Sequence, residues 1–100
     1  MKSVYLITLV LQRTLGDYPE VSAYIGSADW CYVFPPTATT YVMLLHSDRS
    51  PTEVQGDITR LLSESDSCLV ECYEPTAATA RLVNASKACE KWLKSRAHGA

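Results

Sequence analysis

The stretch that most constrains this chain lies near its start. Residues 4–11 read Val-Tyr-Leu-Ile-Thr-Leu-Val-Leu. The run is β-branched, aromatic and aliphatic, and it is far shorter than the roughly 20 residues a membrane-spanning helix needs. A strand with one wet face alternates apolar and polar side chains, but here every position except Thr8 is apolar. The run is therefore expected to be a central strand covered on both faces. One hundred residues, 47% of them apolar and 20% charged, suit one globular domain around one core. That domain is expected over residues 1–100, with the core in 3–74 and a basic helix at about 76–96.

The segments that follow alternate in character. Asp17-Tyr18-Pro19-Glu20 has the form of a helix start, with Asp17 as cap, Pro19 in the first turn and Glu20 completing a capping box. Val21, Tyr24 and Ile25 then share a face, and Gly26 can end the helix. Residues 30–34 predict a second strand stopped by Pro35-Pro36, and residues 39–46 a third, paired with it as an antiparallel hairpin. Ser50-Pro51-Thr52-Glu53 is a capping box opening a helix whose stripe is Val54, Ile58, Leu61 and Leu62. Residues 68–73 predict a fourth strand. The last helix has Leu82, Ala85, Cys89, Trp92 and Leu93 as its buried stripe.

This order, βαββα and a further strand followed by a helix, predicts an α+β fold: a ferredoxin-like βαββαβ sandwich with an additional C-terminal helix. Strands one and three would be central. The C-terminal helix or a second subunit should cover the other face of the first strand.

Charge is unevenly spread. Residues 1–74 carry four basic side chains against ten acids, and residues 75–100 carry Arg81, Lys87, Lys91, Lys94 and Arg96 against Glu90. The C-terminal helix is thus the expected anion-facing surface and the candidate nucleic-acid-binding one. The four cysteines, at 31, 68, 72 and 89, form no C-x-x-C pair and are expected to be reduced core fillers. Arg13, Asp17 and Glu20 make a long charged spacer before Val21-Ser22-Ala23, unlike a secretory signal, so a cytoplasmic location and no membrane association are expected. No nucleophile elbow, phosphate loop or paired metal motif is present. Asp17 and Asp48 are the weak alternative for a metal site, which would hold Mg or Mn; otherwise no cofactor is expected.

A family resemblance adds to this. Tyr5-Leu6-Ile7-Thr8 with Leu11, then Asp17-Tyr18, Trp30, Thr39-Thr40-Tyr41-Val42, and Asp66 before Ser67-Cys68-Leu69-Val70-Glu71, resemble the SinR-like relatives of the small CRISPR-associated, ferredoxin-fold adaptation protein. The resemblance covers residues 4–74. It implies a symmetric homodimer whose last strands or C-terminal segments reach across to the partner. In the family's nucleases an Asp near the end of the first strand holds a divalent metal. Val10 stands there in this chain and cannot do so. Tyr32 falls near where a His is common, and the stretch between Trp30 and Thr39 is longer than the family pattern. The expected function is a non-catalytic homodimeric binding or assembly module with a nucleic acid or protein partner. The alternatives are a metal-dependent nuclease with a relocated acidic site, in the manner of VapD-type toxins, and a small-ligand-sensing regulatory domain.

Overall fold

The structure is a computed structural model that describes residues 2–73 and 87–96. The strands β1 (Ser3–Val10), β2 (Asp29–Tyr32), β3 (Thr40–Ser47) and β4 (Ser67–Cys72) form one antiparallel sheet in the order β2-β3-β1-β4. The helices are α1 (Pro19–Gly26), α2 (Pro51–Thr59) and α3 (Lys87–Arg96). With β1 and β3 central, this is the strand order of a ferredoxin-like sandwich, carrying a C-terminal helix as expected.

The two faces follow from strand parity. Tyr5, Ile7 and Leu9 of β1, Tyr41, Met43 and Leu45 of β3, and Val70 of β4 point to one side, where Val21 and Ile25 of α1 and Val54 and Ile58 of α2 close the main core. Val4 and Leu6, Val42 and Leu44, Cys31 and Val33 point to the other side and pack against Cys89, Trp92 and Leu93 of α3. The apolar run thus has its first face packed, and α3 covers the second at Val4 and Leu6 but not at Val10, which is exposed.

Local signals held at α2. Ser50 Oγ accepts from the Glu53 N–H at 3.2 Å, and Glu53 Oε1 accepts from the Ser50 N–H at 3.0 Å, with Pro51 in the first turn. At α1 they held only in part: Pro19 opens the helix, but the expected Asp17 cap does not form. Asp17 ends a 3-10 turn at Leu15–Asp17, and Tyr18 takes the cap position without a side-chain hydrogen bond. The Tyr18 hydroxyl reaches across to Asp66 at 2.8 Å instead. The strand bounds shift by one or two residues: β2 begins at Asp29 and ends at Tyr32, two short of the expected end, and β3 runs on to Ser47. The residues before Lys87, including Leu82 and Ala85 of the expected stripe, lie outside the described ones.

Candidate functional site

The second face of the sheet brings the chemistry-bearing residues together. Parity puts Asp29 and Cys31 of β2 on this face, beside His46 and Leu44 of β3, with which they pair. Cys89, Trp92, Leu93 and Arg96 recur on α3 at i, i+3, i+4 and i+7, which gathers them on one side of the helix. Strand and helix meet at two points.

The first is covalent: Cys31 and Cys89 form a disulfide, with Cα atoms 5.7 Å apart, inside the usual range for a bridge. This corrects the expectation of four reduced, core-filling cysteines. The partners are 58 residues apart in sequence, so no local spacing announces them. Cys68 and Cys72 are free; burial raises the Cys68 thiol to about 11.

The second point is a charged clasp at the other end of the helix. Arg96 donates from Nε to Asp29 Oδ2 and from Nη2 to Oδ1 at 2.8 Å. Trp92 Nε1 also donates to Asp29 Oδ1, at 2.9 Å, and His46 Nδ1 lies 3.4 Å from Oδ2. The guanidinium sits 4.4 Å from the Trp92 ring centroid, a cation–π distance. The Arg96 hydrogen bonds hold the Asp29 carboxyl down to about 2, against a burial penalty and with help from Trp92 and His46.

The clasp changes the account of the basic helix. Arg96 is spent on Asp29 and is half-buried, and Lys94 pairs with Glu90 at 3.1 Å. Lys87 and Lys91 are exposed, with no carboxylate partner among the described residues. Lys87, Lys91 and Lys94 line one shallow surface with Glu90. Arg81, the remaining candidate, lies outside the described residues.

α3 leaves part of the second face open. Val10 on β1 and Leu69 on β4 are 45% and 52% exposed. They border Thr8, which Leu69 faces across the β1–β4 pair, and Glu71 is exposed one step along β4. This open strip sets two large apolar side chains, Val10 and Leu69, among the polar Thr8, Ser67 and Glu71.

Asp17 and Asp48 are not brought together. The Ser3–Ser47 pairing puts Asp48 beyond the start of β1, whereas Asp17 follows the end of β1, the whole strand length away. Among the described residues no three His, Cys, Asp or Glu side chains are placed to share a metal ion.

A further carboxylate went unnoticed in the sequence. Asp57 of α2 is buried and accepts from Tyr24 Oη at 2.8 Å, from Arg49 Nε and Nη2 at 2.7 and 2.9 Å, and from Arg60 Nη2 at 2.8 Å. The Arg49 and Tyr24 hydrogen bonds lower its carboxyl, while burial, followed by the Asp57 contact, pushes Tyr24 up to about 12. Each of these groups is satisfied by another, and the knot ties the segment between β3 and α2 to both α1 and α2. The spacing Asp29-x-Cys31 against Cys89 to Arg96 is the signal that could have disclosed the clasp and the bridge together. A strand of alternating parity was matched there by a helical stripe.

No family model, curated protein or solved structure matches this chain.

Proposed function

We propose that the chain is a non-catalytic homodimeric binding or assembly module, resembling the SinR-like relatives of the CRISPR-associated ferredoxin-fold protein, that acts in the cytoplasm. The observation that carries it is the open strip at Val10 and Leu69, two large apolar side chains about half exposed on a sheet face whose other half is packed. An isologous pair needs one patch that complements itself, and Val10 and Leu69 of one copy can meet those of the other. A two-fold axis along the strands lays β4 of one copy over the α3-bearing half of the other. Glu71 then faces the lysines of its partner's α3, an attraction that fixes the register. The strip's position at the last strand agrees with the family's habit of pairing through that part of the chain.

Lys87 and Lys91, with Lys94 beside them, are the anion-facing surface, and nucleic acid is the partner their charge suits. The nuclease alternative needs acids that converge, and Asp17 and Asp48 stand at opposite ends of β1. A metal-dependent activity is therefore not the reading we favour.

Sedimentation velocity over a concentration series tests the dimer. The wild type should sediment as a dimer, and Val10→Asp with Leu69→Asp as a folded monomer; a wild-type chain that stays monomeric overturns the reading. Fluorescence anisotropy with labelled duplex DNA, single-stranded DNA and RNA across a salt series tests the partner. Binding should weaken with salt and fall on changing Lys87 and Lys91 to Glu. Absence of binding at low salt would replace nucleic acid with a protein partner.

A further inference from the structure

The disulfide lies in the wall of a cleft. Cys31 and Cys89, with Tyr32, Phe34, Ala88 and Trp92, line an apolar opening of about 480 Å3 on the surface. Cys89 itself is 1% exposed, and Cys31 is the more accessible of the two. The bridge therefore sits beneath α3 and beside a path that a small thiol can follow.

We propose that the Cys31–Cys89 bond is a redox latch: a dithiol entering this cleft opens it, and the part of α3 around Cys89 lifts from the second face of the sheet. The exchange balances without a further reactant. A thiolate of the dithiol attacks Sγ of Cys31, the sulfur–sulfur bond breaks, and Cys89 leaves as a thiolate and takes a proton. The second thiol of the reductant then displaces Cys31, which is protonated in turn. Two electrons and two protons pass to the protein, and the reductant ends as a disulfide.

Three observations support a mechanical consequence. Within the described residues α3 meets the sheet through one face, at Cys89, Trp92 and Leu93. Its anchors among the described residues are spread along it: the disulfide at Cys89, then Leu93, then the Asp29 clasp on Trp92 and Arg96. What it covers is apolar, namely Val4, Val33 and Leu44. Opening the bond leaves the described part of α3 held by Leu93 and the clasp, and uncovers apolar surface beside the exposed Val10 and Leu69. In the cytoplasm, where disulfides are commonly transient and redox-sensing, such a bond responds to the dithiol pool. The latch does not rest on the dimer reading. Only its effect on association does.

Hydrogen exchange on the full chain, equilibrated with oxidised glutathione or with dithiothreitol, tests it. Amides of residues 87–96 should exchange about tenfold faster or more after reduction, while those of β1 and β3 hold their protection. The Cys31→Ser/Cys89→Ser variant should match the reduced pattern without dithiol, and Cys68→Ser/Cys72→Ser should keep the full response. If the first variant does not fold, wild type and the second still decide the matter. Equal protection of 87–96 in both states overturns the latch, as does alkylation of four thiols in the oxidised sample. Sedimentation in the same two buffers separates the readings: a monomer in both states removes the dimer and leaves the latch standing.

Discussion

Asp57 accepts hydrogen bonds from three side chains on three segments, and its substitution should be felt in all of them. Asp57→Ala strands the Tyr24 hydroxyl and removes the partner of the Arg49 fork. Because Arg49 and Arg60 are 45% and 75% exposed, water recovers part of that loss. A loss of about 2 kcal/mol in a urea unfolding curve is expected, and Asp57→Asn, which can still accept from Tyr24, should lose less. Asp29 makes the complementary case for pH. Its folded carboxyl titrates at about 2 instead of 3.8, so its contribution is present above the unfolded value and is lost as pH falls from about 4 toward 2. The side chain is 37% exposed, and solvent screening reduces the contribution to on the order of 1 kcal/mol. The wild-type advantage over Asp29→Asn should therefore be visible near neutral pH and shrink across that acid window. Neither residue was singled out in the sequence for its eventual role, because a single Asp acquires its partners from segments far along the chain.

At the scale of elements, legibility followed the range of the forces involved. The capping box at Ser50 and Glu53 is complete within four residues, and it was readable because nothing distant is needed to form it. Ser50→Ala should cost about 1 kcal/mol without changing the urea m-value, as expected for a lost cap on a helix that still folds. The start of α1 had the same kind of signal, but Tyr18 is drawn away to Asp66 and displaces Asp17 from the cap position. Asp66 meets the Ser63 and Gln12 N–H groups as well, and these bonds outweigh burial to hold its carboxyl at about 2. Helix α3 was visible as a stripe and as a charge excess. Its charges could not be sorted by sequence into engaged and available ones, since Asp29 selects Arg96 only through the fold.

At the scale of the molecule, the central place of β1 was readable from its own apolar run, and the rest of the strand order from the βαββαβ succession of elements. Which side α3 takes is fixed by parity on β2: Asp29 and Cys31 point to the same face, and the helix that carries Arg96 and Cys89 must lie over it. The disulfide then closes a loop of 58 residues that contains β3, α2 and β4. In the chain-entropy account, a closure of that length stabilises the folded state by about 4 kcal/mol, chiefly by restricting the unfolded chain. For a domain this size each kcal/mol corresponds to several degrees, so reduction should lower the melting temperature by more than ten degrees, to the extent that α3 and the sheet unfold together. If α3 opens by itself, as the latch requires, the reduced chain should instead show a smaller drop in the main transition and an earlier loss of helical signal. Calorimetry and far-UV dichroism of the oxidised and reduced protein, with Cys68→Ser/Cys72→Ser as the background, distinguish the two. A single cooperative transition that shifts as a whole places α3 in the main folding unit; a split one makes it a separate unit held to the sheet by one bond and one clasp.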